Sequence, residues 1–272
     1  MHDTFTLKDW KALAPDLTIG EPMNVKEIPF PDAALAEISE KFWTDGYLAL
    51  PPLFDAQEIE PVLETVYTLG RHGIPPVFIY LYDQPWWMFA RLGRLIRHFL
   101  GENYAILPNL WAWHLSREGD AGWPPHRDCD AKTVFGTGDD RILMSLSLWL
   151  PLTDVDENNG CMYILPHGRE ETEDELTEIG KLNLLEATAL PARAGCLLGW
   201  RQDVVHWGGR FGEAAKNPRV SLSFEFQNRA FAPLAEPLID MSALPPFADR
   251  LALIQEQFAK YRHIDPVYSS RK

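Results

Sequence analysis

The chain has 272 residues, a formal net charge of -14, 46% hydrophobic residues and ten tryptophans. That size and apolar content suit one domain spanning residues 1–272 with a substantial core, and the acidic balance disfavours nucleic acid and anionic membranes as partners. The longest near-apolar run, Ile142 to Leu152, is too short to span a bilayer, the first residues lack the basic start and apolar core of a signal peptide, and three cysteines without a C-x-x-C spacing fit free thiols in a reducing cytoplasm.

In chain order, the first thirty or so residues carry Pro15, Pro22 and Pro29 without a clear period and read as an irregular, peripheral lead-in. A helix is expected from Asp32, which caps it, with Leu35, Ile38 and Phe42 on one face and Gly46 ending it. Tyr47 to Leu50 reads as a short strand stopped by two prolines. Asp55 and Glu58 form a capping-box pattern before Ile59, Leu63, Val66 and Leu69, although Pro61 argues that the regular helix begins near Glu60. A third helix is expected over about Trp86 to Leu100.

After Gly101 the pattern turns to short strand-like runs: Ile106 to Leu115, Ile142 to Leu150, Cys161 to Leu165, Gly195 to Trp200, Val204 to Trp207 and Arg219 to Gln227. Helices followed by many short antiparallel strands describe a mainly β fold, a double-stranded β-helix of jelly-roll or cupin-like type with N-terminal helices packed on one sheet. The expected layout is helical support over about 32–100, the core over about 104–228 and a C-terminal helix over about 246–262, with Phe247, Leu251, Ile254 and Phe258 on one face.

The chemistry centres on Trp123 to Asp130. If this segment starts a strand, His126 and Asp128 project from one face and can grip one ion together. Two His and one carboxylate form the facial triad of non-haem Fe(II), which leaves three positions open. The pair alone is weak, and His263-Ile264-Asp265 repeats its spacing, but only His126 and Asp128 are followed by a strand-rich region with a further histidine, His206, eighty residues on. A lone His206 would read as a core histidine bonded to a carbonyl; beside the pair it is the natural third ligand. Asp130 shares the expected strand face and ranks second as the carboxylate.

From Arg219 to Gln227 strict alternation puts Arg219, Ser221, Ser223, Glu225 and Gln227 on one face and Val220, Leu222, Phe224 and Phe226 on the other. The polar face either meets water or lines a cavity in which Arg219 and a neighbouring hydroxyl bind a carboxylate. Arg219, thirteen residues after His206, is expected on the strand next to it.

Together, His126-x-Asp128, His206 and Arg219-x-Ser221, with Asp45 to Leu50, Trp149 to Asp154 and Asn159 to Pro166, resemble the phytanoyl-CoA dioxygenase-like family over roughly Phe42 to Gln227. The resemblance implies a double-stranded β-helix using Fe(II), 2-oxoglutarate and O2, with His126, Asp128 and His206 holding iron, and Arg219, helped by Ser221, holding the distal carboxylate of 2-oxoglutarate. Two places depart from the family pattern. Arg127 stands where many relatives have Gln, and Pro166-His167-Gly168-Arg169 stands where they tend to have Pro-Gly-Ser-His, so His167 receives no metal role.

The implied activity is hydroxylation of a small soluble metabolite in the cytoplasm with release of succinate and CO2. Desaturation or ring closure remain open. Related halogenases replace the acidic ligand with Gly or Ala, so Asp128 speaks against halogenation. The alternatives are a cupin-type metal oxygenase or isomerase that does not use 2-oxoglutarate, and a non-enzymatic jelly-roll binding protein. Arg127, Arg117 and Trp113 are candidate substrate contacts, structural ion pairs being the other reading for the arginines. Trp111, Trp123 and Trp207 are candidates for an aromatic wall, and Ala131 to Asp140 or Arg169 to Lys181 for a lid.

Overall fold

The computed structural model describes residues 5–167 and 176–266. Contrary to the expected irregular lead-in, Leu7–Leu13 form a helix, α1, started by a capping box between Thr6 and Asp9. Nor is the lead-in peripheral: Trp10 is completely buried and stacks on Phe78 with ring centroids 5.6 Å apart. A seven-residue helix is too short to show a period, so its cap was its only sequence signal.

Helix α2 spans Asp32–Asp45. The N-cap position belongs to Pro31, and Asp32 instead pairs with Arg94 from within the first turn; Gly46, at φ 82°, ends the helix in the left-handed region. Strand β1 is Tyr47–Leu50. Helix α3, Ala56–Arg71, starts at the Asp55–Glu58 capping box and runs through Pro61. The missing proline N–H therefore does not delay the helix, whose buried stripe of Ile59, Val62, Val66 and Leu69 holds it against the core. The single helix expected over Trp86 to Leu100 is broken in two, α4 at Asp83–Ala90 and α5 at Gly93–Leu100, after a 3-10 turn at Pro76–Leu81. At the break the Arg91 carbonyl accepts from Ile28 N–H at 2.8 Å, so the lead-in takes over a bond that a continuous helix would make itself.

The strands that follow are β2 (Tyr104–Ile106), β3 (Trp111–Leu115), β4 (Val134–Phe135), β5 (Ile142–Leu143), β6 (Ser145–Pro151), β7 (Met162–Ile164), β8 (Thr188–Leu190), β9 (Leu197–Arg201), β10 (His206–Gly208) and β11 (Arg219–Asn228). One antiparallel sheet has the order β1-β9-β6-β11, with β2 and β3 lying end to end along the far edge of β11. The expected run Ile106 to Leu115 divides there because Pro108 has no N–H to give; Leu107 N–H reaches the Glu225 carbonyl instead. The second sheet is β10-β7-β8, and β4 and β5 form a hairpin.

Side-chain alternation along β11 organises the molecule. Val220, Leu222, Phe224 and Phe226 are fully buried on the helical side, where the Phe224 ring meets Tyr80, Trp86 and Phe89 at 4.9, 5.1 and 4.4 Å. Arg219, Ser223 and Glu225 point the other way and line a cavity. Helix α6, Phe247–Tyr261, closes the helical side. Its buried residues are Arg250, Leu253, Ile254 and Gln257, not the purely apolar face expected, because Arg250 Nη1 is drawn in by the fully buried Asp83 carboxylate at 2.6 Å.

Candidate metal centre and cavity

Trp123 to Asp130 is not a strand. It is an irregular segment tied to β10 at one point, where His126 N–H donates to the His206 carbonyl at 3.1 Å and His206 N–H returns a bond to the His126 carbonyl at 3.0 Å. The two imidazoles are brought together by this backbone pairing, with ring centroids 4.3 Å apart. Asp128 Oδ1 lies 3.3 Å from His126 Nε2 and 3.5 Å from His206 Nε2. Two ligands held about 2.1 Å from one ion at a right angle sit about 3 Å apart, and these three atoms, all within 4.8 Å of one another, are close enough to share one ion.

The donors are oriented for that task. His126 Nδ1 donates to the Pro124 carbonyl at 2.8 Å and His206 Nδ1 to the Val204 carbonyl at 3.1 Å, which leaves the Nε2 lone pairs facing inward. Asp128 Oδ2 accepts from the Ser147 hydroxyl at 2.6 Å and the Trp200 indole at 3.0 Å, so Oδ1 is the free oxygen. Burial would raise the Asp128 carboxyl, but the two imidazoles and the Ser147 hydroxyl outweigh it and hold the group below its usual range. Burial pushes His206 down to about 4, keeping it neutral. Among the described residues, His126, Asp128 and His206 are the group of this kind that could hold a metal ion. Asp130 is exposed and outside it, and His167 is an exposed residue whose N–H donates to the Asp45 carbonyl.

Arg219 was expected on the strand beside His206; it approaches instead from the opposite sheet, β10 and β11 facing each other across the cavity. A side chain at Gly208 would lie 2.7 Å from Arg219 Nη1, so the glycine makes room for the guanidinium. Arg219 is 1% exposed, lies between the Trp113 and Trp149 rings at 5.7 and 5.8 Å, and donates to the Gly160 carbonyl at 2.6 Å. Its Nε and the buried Ser221 hydroxyl have no partner, and among the described residues no carboxylate pairs with it. Burial pulls its pKa down to about 10, which leaves it charged at neutral pH. A buried cation without a counter-charge among the described residues is suited to an anionic ligand, whereas Ser221, two residues on along β11, is not among the residues lining the cavity.

The cavity, about 230 Å³, contains the three ligands and Arg219 and is walled by Trp111, Trp113, Trp123 and Tyr261. Arg127 is buried in the same wall, its Nε donating to the Asp203 carbonyl at 3.0 Å. Arg117, expected as a substrate contact, is not among the lining residues; it donates to the Pro266 carbonyl at 2.9 Å, tying down the segment after α6. Trp207 stacks on Tyr163 outside the cavity. Of the two lid candidates, Ala131 to Asp140 contributes β4 to the hairpin and lines no part of the cavity, whereas Arg169 to Lys181 falls largely outside the described residues. The supporting residues Ser147, Trp200, Gln202 and Asn109 were missed. Ser147 was visible as one of the polar positions alternating with Leu in the β6 sequence, but Asn109 and Gln202 follow no period.

Residues 81–211 match the model of the phytanoyl-CoA dioxygenase (PhyH) family. Over these residues the chain is similar to that family. No curated protein matches it in sequence. The epimerase SnoN, solved in complex with Fe3+, alpha ketoglutarate and nogalamycin RO, is 20% identical with a TM-score of 0.53, covering 73% of this chain and 85% of its own. HygX from Streptomyces hygroscopicus, solved with nickel and 2-oxoglutarate, is 17% identical with a TM-score of 0.52, covering 72% and 87%. The alpha ketoglutarate-dependent carbocyclase SnoK is 14% identical with a TM-score of 0.53, covering 81% and 100%. At these identities the likeness is one of fold, and the chain shares with them the expected cupin-like double sheet with helical support.

Proposed function

We propose that this protein is an Fe(II)- and 2-oxoglutarate-dependent oxygenase acting on a small-molecule substrate, with hydroxylation as its outcome. The observation that carries the reading is the buried Arg219 guanidinium, paired with no carboxylate among the described residues, in the same cavity as His126, Asp128 and His206. The three ligands would hold the iron, with Ser147 and Trp200 fixing the Asp128 carboxylate and the Pro124 and Val204 carbonyls fixing the ring orientations. Arg219 and Ser221 would take the distal carboxylate of 2-oxoglutarate, and the Trp113 and Trp149 rings keep water from that charge pair. Iron with 2-oxoglutarate and O2 supplies the oxidation of a substrate C–H bond coupled to release of succinate and CO2. Arg127 and Trp113 are the candidate substrate contacts on the cavity wall.

The test is succinate release from 2-oxoglutarate by the iron-loaded protein, without and with candidate substrates. The expected result is slow release that depends on Arg219 and rises with substrate, with a product heavier by one oxygen. No binding of 2-oxoglutarate by the loaded protein would move the reading to a cupin-type metal enzyme without this co-substrate. A product formed without oxygen insertion would move it toward the chemistry by which SnoN and SnoK are named.

A further inference from the structure

At the end of β11 away from Arg219 stands a second cavity carboxyl, Glu225. In the β11–β6 register it faces Ser147, whose hydroxyl holds Asp128, so it lies beside the metal ligands. Arg219 is six residues, about 20 Å of strand, further back. Glu225 Oε2 accepts from Asn109 Nδ2 at 3.0 Å and Gln202 Nε2 at 2.9 Å. Those two amides fix the side chain and leave Oε1 to the cavity. Next to it the Tyr261 ring meets Trp111 and Trp123 edge to face, at 5.8 and 5.0 Å, so flat aromatic surface and one aimed carboxyl oxygen share a wall.

We propose that Glu225 is the specificity-determining residue of the substrate pocket, and that it hydrogen-bonds a hydroxyl of an uncharged, polyol-like ring whose C–H face lies on Trp111, Trp123 and Tyr261. Calling this ligand the substrate rests on the oxygenase reading above. An entirely apolar ligand would leave Oε1 buried without a partner, which is the penalty that lets polar sites reject analogues lacking a hydroxyl. A cationic ligand has Arg127 in the same wall against it.

The test uses protein loaded with zinc(II) and 2-oxoglutarate and reads binding of three probes by saturation-transfer NMR: myo-inositol, cyclohexanol and choline. The expected result is that myo-inositol binds best, that Glu225→Ala weakens it at least tenfold, and that Glu225→Gln, which keeps a hydrogen-bonding side chain of the same shape, stays within about threefold. Absence of myo-inositol binding, or equal binding by wild type and Glu225→Ala, overturns the proposal. Preferred binding of choline, lost equally in both variants, overturns it in favour of a cation site. Zinc and 2-oxoglutarate titrations of the wild-type protein judge the oxygenase reading separately: if they fail while the myo-inositol pattern holds, the pocket assignment stands and the oxygenase reading falls.

Discussion

Asp128 turns one free oxygen toward the two histidine Nε2 atoms and gives the other to Ser147 and Trp200, and this division of labour sets the first predictions. Removing an outer partner of a metal ligand typically costs about 10- to 100-fold in affinity. Ser147→Ala and Trp200→Phe should each lower metal affinity within that range, measured by competition with a chelator, whereas Asp128→Gly should abolish tight binding. Asp130→Gly should leave affinity near wild type, since Asp130 is exposed outside the group; equal losses from both glycine variants would exchange their roles. Truncating a buried, hydrogen-bonded charge partner costs about 2–5 kcal/mol. Arg219→Ala should therefore raise the 2-oxoglutarate concentration needed for turnover at least tenfold, and an unchanged requirement would contradict its assignment.

At the scale of elements, β11 works because its two faces have separate duties. Phe224→Ala, on the face packed against Tyr80, Trp86 and Phe89, should cost about 3–5 kcal/mol in chemical denaturation of the metal-free protein, as for other buried aromatics. Asp55→Ala, which removes one cap, should cost about 1 kcal/mol. The long periodic elements β11 and α3 were legible in the sequence because a repeated pattern leaves one solution for which side is buried. Elements held by partners distant in sequence were not: α1 is seven residues, β4 is two, and the α4–α5 break depends on a bond from Ile28. His126 and Asp128 show the difference within one motif. Their pairing was inferred from strand alternation, yet no strand exists there; the convergence comes from the His126–His206 bridge, which sequence spacing cannot show.

For the whole molecule, Glu225 makes stability depend on pH in a direction opposite to most acids. Its folded-state pKa is raised, so above the unfolded value of about 4.5 the unfolded chain binds fewer protons than the native one, and stability falls as pH rises. Glu225→Gln, which cannot ionise, should make the metal-free protein more stable than wild type at pH 7.5, with the difference shrinking toward pH 4; denaturation midpoints at both values check this, and a variant less stable at pH 7.5 would contradict it. The position of α6 has a consequence of another kind. During synthesis the ribosome releases the metal ligands by His206 and the guanidinium by Arg219, while the aromatic wall waits for Tyr261 and the buried Asp83 waits for the cation of Arg250. A nascent chain that has not yet docked its last helix thus holds all three candidate ion ligands in a vessel with one side open, and the arrival of that helix both neutralises a buried charge and closes the vessel.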